Sequence, residues 1–258
     1  MSLVIATPAT VANRTLAPTV FLDMDGTIVS TDMHNTALTF LHGLPNSFSK
    51  YLRIAGYWLG IPVMVVVNYF SEAACVHGLV WVTLSRLSVA DAELGRKAVT
   101  AELLRSLRPQ LRDEITVHQA EGRHVVVVSG NLSDWIGDFV HQTLHCSLIC
   151  THVSRTHDNR RYTGRVLGSV CVQQEKVNRI LAVEAANSAL ARALVPGTQQ
   201  RVGYHGYGNS HNDALFMSLC EFAWPVTPNS RLVKISQIKN WPTKFFKVVE
   251  QSQTNNAA

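Results

Sequence analysis

Three short apolar, β-prone runs decide most of what this chain can fold into. Thr19-Val20-Phe21-Leu22 gives way to Asp23-Met24-Asp25-Gly26-Thr27, and His124-Val125-Val126-Val127-Val128 gives way to Ser129-Gly130-Asn131. Arg201-Val202-Gly203-Tyr204 leads in the same manner into Gly206-Tyr207-Gly208-Asn209-Ser210. Such runs predict the buried strands of an open parallel sheet, whose ligands bind outside the carboxyl ends of the strands. Helical patterns fill the intervals. Residues 177–194 are rich in Ala and Leu and stop at Pro196-Gly197, which predicts a crossover helix with a terminator. Residues 161–166 predict a small β-ribbon.

About 100 residues separate the first two strands, where a simple βα crossover needs about 30. The fold class expected is therefore α/β, a Rossmann-like parallel sheet core with an inserted all-α cap after the first strand. The boundaries expected are an N-terminal arm at 1–18, the core at 19–30 and 116–250, the cap at 31–115 and a tail at 251–258. Residues 54–71 carry no formal charge and approach the length of about 18 residues that flags a membrane span. Gly56, Gly60, Pro62 and Asn68 weigh against a span, as does the position between two strands of one sheet. A buried pair of cap helices is the expectation, and an interfacial patch on lipid is the alternative.

Hydrophobic residues make up 47% of the chain and charged residues 16%, which excludes a disordered chain. The net charge of +5 gathers toward the end, at Arg231, Lys234, Lys239, Lys244 and Lys247. Without aromatic interleaving or a nucleic-acid module, these charges read as a solvated helix and tail, and no nucleic-acid partner is expected. The five cysteines form no CxxC pair and leave one over, which argues against a disulfide framework or a zinc site and for a reducing cytoplasm. Residues 1–18 lack a basic region followed by an apolar run, so no secretory signal is expected there.

The chemistry sits at the strand ends. Asp23 and Asp25 are two residues apart and are followed by Gly26 and Thr27. One carboxylate of such a pair can attack phosphorus to form an acyl phosphate while the other moves the proton of the leaving oxygen. Two like charges this close call for a cation, which Mg²⁺ would supply. Ser129, Gly130 and Asn131 offer a hydroxyl and backbone N–H groups to a phosphate. Lys176 falls at the start of a helix, where a cation is misplaced relative to the dipole unless something negative faces it.

The Asp23 to Thr27 pentapeptide resembles the first signature of the haloacid dehalogenase superfamily, whose phosphatases use the first Asp as nucleophile and the second as acid and base. Ser129 matches the second signature. Lys176, preceded by Gly168 and Cys171, resembles the lysine that neutralises phosphoryl oxygens in the phosphoserine-phosphatase-like branch (subfamily IB). Gly208-Asn209-Ser210-His211-Asn212-Asp213 resembles the acidic metal loop, with Asn209 where the first Asp stands, so the site loses one negative charge. The resemblance runs from Thr19 to Pro242, through Trp224-Pro225 and Asn240-Trp241-Pro242, and implies a helical cap. It implies Mg²⁺ met by Asp23, the backbone carbonyl of Asp25, Asn209 and Asp213.

Asp32 lies nine residues after Asp23, where the resembling phosphoserine phosphatases place a Glu that meets the substrate amine. It reads equally as a substrate contact or a helix cap. His34 and Asn35 are further candidates for substrate contact, and Arg53 is a conceivable partner for a substrate carboxylate. His205 and His211 flank the metal loop and read as walls rather than ligands. The function expected is a phosphomonoesterase acting through an aspartyl-phosphate on a small phosphorylated metabolite. A phosphomutase, a lipid-phosphate phosphatase at a membrane surface, and a catalytically weakened protein that binds a phosphorylated ligand are the competing readings. Contact with a membrane ranks below a soluble cap, and a homodimer through the apolar cap stays open.

Overall fold

The computed structural model describes residues 19–186 and 194–245. The expected arm at 1–18, the tail at 251–258 and Lys247 lie outside the described residues. Six strands, β1 (Thr19–Leu22), β2 (His124–Leu132), β3 (Ser147–Arg155), β4 (Tyr162–Leu167), β5 (Arg201–Gly208) and β6 (Cys220–Pro225), form one sheet in the order β4-β3-β2-β1-β5-β6. All neighbours pair parallel except β3 and β4, an antiparallel edge pair that contains the ribbon expected at 161–166.

The sheet is apolar on both faces because helices cover both. Val20, Leu22, Val125 and Val127 enter one core, while Phe21, Val126 and Val128 enter another with Tyr204, Phe216 and Met217. This is the two-sided burial that near-continuous valine runs encode. The register matters most for function. Leu22 pairs with Val127 on one side and Tyr207 on the other, so Asp23 emerges from the central strand between the ends of β2 and β5.

Between β1 and β2 lie five helices: α1 (Met33–Gly43), α2 (Phe48–Phe70), α3 (Glu72–Leu84), α4 (Val89–Ser106) and α5 (Pro109–Ala120). Their starts follow capping chemistry. The side chains of Asp32, Ser47, Ser71 and Ser88 accept the first free N–H groups of α1, α2, α3 and α4, and Pro109 opens α5. Helix α5 runs through residues 115 and 116, where the sequence places the return to the core. Beyond β2 come α6 (Ser133–Asp138), which runs into a π-turn, α7 (Gln174–Ala186), α8 (Ala214–Met217) and α9 (Ser230–Lys239).

Two expectations need correction. The crossover helix starts at Gln174, before 177, and does not reach residue 194, since Leu194 already forms a β-bridge with Arg201. The cap helix over residues 54–71 is not buried. Helix α2 is long and apolar enough to cross a membrane by length and composition, yet only 11% of its most apolar 18-residue stretch is covered by the protein. It meets the body along a seam at Lys50, Tyr57 and Met64, spaced one heptad apart and flanked by half-buried Ile54, Ile61 and Val67, and its opposite face points outward.

Candidate active site

Asp23 follows β1 and is held from three directions. Its backbone N–H donates to the Tyr207 carbonyl at 2.9 Å, Thr27 Oγ1 donates to its Oδ2 at 3.1 Å, and Lys176 Nζ donates to its Oδ1 at 2.6 Å. The same ammonium donates to Asp213 Oδ1 at 2.7 Å. Ser210 fixes the other Asp213 oxygen through its N–H and its hydroxyl, at 3.0 and 2.9 Å. Asp23, Asp213 and Lys176 are all buried. The helix-start lysine that the dipole argument singled out thus faces two carboxylates. Burial works against its charge, yet Asp213 and Asp23 outweigh it and hold the ammonium above the ordinary lysine range. Burial, reinforced by Asp213, pushes the Asp23 carboxyl up to about 8 against the pull of Lys176.

Asp25 is oriented by β2. Asn131 Nδ2 donates to both of its oxygens at 3.2 and 3.3 Å, and Ser129 Oγ lies 3.5 Å from Oδ2 while accepting the Asn131 N–H at 3.0 Å. Desolvation raises the Asp25 carboxyl to about 6, with the Asn131 bond and the Lys176 charge restraining the shift. A carboxyl poised there can carry a proton near neutral pH and release it. Gly26 sits at φ +76° with Asn209 packed against it; a Cβ there would fall 2.0 Å from Asn209 Nδ2. The turn inside the first signature therefore disfavours a side chain, through its left-handed backbone and through the Asn209 amide that would have to move.

These groups meet in one cavity of about 290 Å³, which also takes in Gly130, Asn209 and, from the helical insertion, Asp32 and His34. Ser129 and Asn131 stand behind Asp25 rather than on the cavity wall. Asp32 caps α1 through a 2.9 Å bond from the Asn35 N–H and also lines the cavity, so the cap leaves it within reach of a ligand there. Helix α3 completes the wall with Cys75, Val76 and Leu79, which are apolar, and with Glu72.

Arg53 does not reach the cavity. Its guanidinium donates to the carbonyls of Val82, Thr83 and Ser85 at 3.2, 3.1 and 2.6 Å, closing the end of α3. His205 lies within β5 on a different face, in ring contact with His118 and Phe222, and burial beside Arg123 pushes it down to about 4. His211 pairs with Arg231 at 3.3 Å. Sequence reasoning missed Glu72, whose carboxylate accepts from Asn212 Nδ2 at 2.8 Å and is raised by burial. It also missed Thr27 as a donor to Asp23. Glu72 had a signal: between Met33 and Ala90 it is the one acidic residue.

Among the described residues no three His, Cys, Asp or Glu side chains form a ready metal group. The site nevertheless fits a hard divalent cation. Asp23, Asp213, Asn209 and the Asp25 backbone supply oxygen donors only, and the carboxylates outnumber the one ammonium that faces them. Burial first and the Asp213 charge second raise the Asp23 carboxyl, and a cation among these oxygens would oppose both.

A mostly parallel sheet whose central strand delivers two carboxylates beneath a helical insertion is the architecture of a Rossmann-like hydrolase. The chain belongs to the haloacid dehalogenase-like hydrolase family, whose model matches residues 20–218. No curated protein matches it in sequence. Among solved structures it is similar to a protein of unknown function from Bordetella pertussis Tohama I, with a TM-score of 0.71 and 18% identity over 88% of this chain and 98% of that one. A phosphoserine phosphatase in apo form is similar at a TM-score of 0.60 and 14% identity over 90% and 94% of the two chains. A phospho-aspartyl intermediate analogue of phosphoserine phosphatase is similar at 0.57 and 13% identity, again over 90% and 94%. At these identities the likeness is one of fold.

Proposed function

We propose that this chain is a Mg²⁺-dependent phosphomonoesterase that works through an aspartyl-phosphate on Asp23. The observation that carries the reading is the buried Lys176 ammonium bridging Asp23 and Asp213 beside an Asp25 carboxyl held by Asn131. In this reading residues 31–115 form the cap and the sheet forms the core. A carboxylate oxygen of Asp23 attacks phosphorus as the P–O ester bond breaks, and the Asp25 carboxyl gives its proton to the departing oxygen. Asp25 then takes a proton from the water that attacks the acyl phosphate, releasing phosphate and restoring Asp23.

Lys176 offsets charge on the phosphoryl oxygens, and the Gly130 N–H on the cavity wall positions them. Asp23, Asp213, Asn209 and the Asp25 carbonyl would hold Mg²⁺, which when bound supplies further positive charge to the phosphoryl group. Asp32 and Glu72 place two carboxylates on the cap side of the cavity, which suits a small phosphorylated metabolite that carries a cation, such as a phosphoserine-like ester. A cytoplasmic setting goes with the five cysteines, all free and buried.

A second reading, hydrolysis of a lipid phosphate, draws on the outward apolar surface of α2 and on the apolar side of the cavity along α3. Phosphate release from polar and lipid phosphomonoesters, with and without Mg²⁺, tests both. Mg²⁺-dependent release from a polar ester supports the first reading, release confined to lipid phosphates supports the second, and no release from either overturns both.

A further inference from the structure

The outer surface of α2 takes no part in the phosphoryl transfer at Asp23, yet it is the most apolar exposed helix face among the described residues. Phe48, Leu52, Leu59, Val66 and Tyr69 stand 79%, 55%, 80%, 60% and 81% exposed, at alternating three- and four-residue steps completed by exposed Ala55 and Pro62. Trp58 flanks the stripe at 55%, and Trp81 of α3 adds another indole at 65%. Contiguous apolar surface of this kind on a protein exterior marks a contact with something less polar than water.

We propose that this face lies in the surface of an anionic lipid bilayer. Three observations favour lipid over a second protein. First, the exposed set combines aliphatic residues with Trp and Tyr, the side chains that settle at the boundary between acyl chains and headgroups. Second, the charge is one-sided. From residue 33 to residue 90 the only carboxylate is Glu72, and that group is turned toward Asn212 and the cavity. Exposed Arg86, Arg160 and Arg161 gather where α3 ends, joined by a 3.0 Å bond from the Arg161 guanidinium to the Arg86 carbonyl. Exposed Arg231 stands with Tyr69 and Phe70 at the other end of the α2–α3 hairpin. The nearby Asp158 carboxylate is turned into its own loop, accepting from Thr156 and the Arg160 N–H. Glu175, near Phe70, is paired with Arg179. Exposed Asp91 at the start of α4 and Asp158 stand near the arginine cluster, so Arg86, Arg160 and Arg161 leave an excess of one positive charge there, and an apolar strip with cationic ends complements anionic headgroups.

Third, the helix is fixed along its length and so lies on the bilayer instead of crossing it. Lys50 Nζ donates to the carbonyls of His42 and Leu44 at 2.6 and 2.9 Å, Tyr57 donates to the His34 carbonyl at 3.1 Å, and Met64 enters the core. A crossing helix would have to break all three attachments. A second copy would meet Pro62, which lacks a backbone N–H, at the centre of the stripe, and this suits a long helix pair poorly.

The test is independent of the chemistry at Asp23. The full chain is sedimented with vesicles of phosphatidylcholine alone or mixed with phosphatidylglycerol, alongside a Leu59→Glu/Val66→Glu variant whose fold is checked by circular dichroism. The expected result is at least tenfold greater binding to the anionic vesicles at low salt, weakening as salt rises, and a tenfold or greater loss in the variant. Tryptophan emission should shift to the blue on binding, and less so in a Trp58→Phe/Trp81→Phe variant. Absence of binding at low salt, or a Leu59→Glu/Val66→Glu variant that binds as well as the parent, overturns the proposal. So does a dimer that the variant splits while neither protein binds vesicles, which would assign the face to a second copy.

Discussion

The carboxyl edge of the sheet and the outer face of α2 are both products of apolar sequence, and they end in opposite states. At the sheet edge, valine and leucine runs are buried on both faces and hand their last positions to polar residues whose groups are tied to one another: Asp23 to Lys176 and Thr27, Asp25 to Asn131, Asp213 to Ser210. Along α2 a comparable density of apolar side chains meets the body only at a seam. Apolar content therefore does not by itself say what is inside. The strand ends are over-determined by interlocking charges, while the outward helix face is free to change without disturbing the fold.

That contrast can be broken most sharply at Lys176. Lys176→Met would leave Asp23 and Asp213 buried without their shared cation, and it is expected to cost about 3–5 kcal/mol of stability in the metal-free protein. Urea unfolding without and with Mg²⁺ reads this, and Mg²⁺ should restore part of the loss. Next comes a matched pair across the hairpin. Leu79, 1% exposed, should cost about 2–5 kcal/mol on truncation to Ala. Leu59, 80% exposed, should stay within about 0.5 kcal/mol. Equal losses at the two positions would mean that α2 is packed in solution after all.

Asn209→Asp restores a negative charge to the oxygen donor set and should tighten Mg²⁺ binding about tenfold, or about 1.4 kcal/mol; calorimetric titration measures it. The smallest effect lies behind the sheet. His205 is depressed from 6.5 to about 4 in the folded protein, by burial and then by Arg123 and His118. The unfolded chain therefore binds more protons between those values, so this stabilisation is complete above about pH 6.5 and is lost as pH falls toward 4. Allowing for its partial exposure, the loss should be about 1 kcal/mol. The difference in unfolding free energy between pH 7.5 and 4.5, read by urea unfolding, should shrink by that amount in His205→Phe.

The strands, the helical insertion and the acidic strand ends were legible because their signals are local: an apolar run, a glycine turn, a carboxylate at a fixed spacing. The placement of α2 was not. Its sequence is apolar on nearly every side, so periodicity predicts a helix without saying which side the body covers, and only the assembled seam at Lys50, Tyr57 and Met64 decides it. Arg53 was misjudged for a related reason. A guanidinium suits a substrate carboxylate and three helix-end carbonyls equally well, and which it meets depends on how α3 ends. Glu72 went unnoticed because its role depends on α3 folding back over the sheet, a contact between residues far apart in sequence.

The central claim is that Asp23 becomes phosphorylated during turnover. It is tested most directly by quenching the enzyme with substrate, reducing with borohydride and sequencing the peptides by mass spectrometry. The account predicts homoserine at position 23, dependent on substrate and absent from Asp23→Asn. Turnover that leaves no homoserine at position 23, or places it elsewhere, would contradict the account.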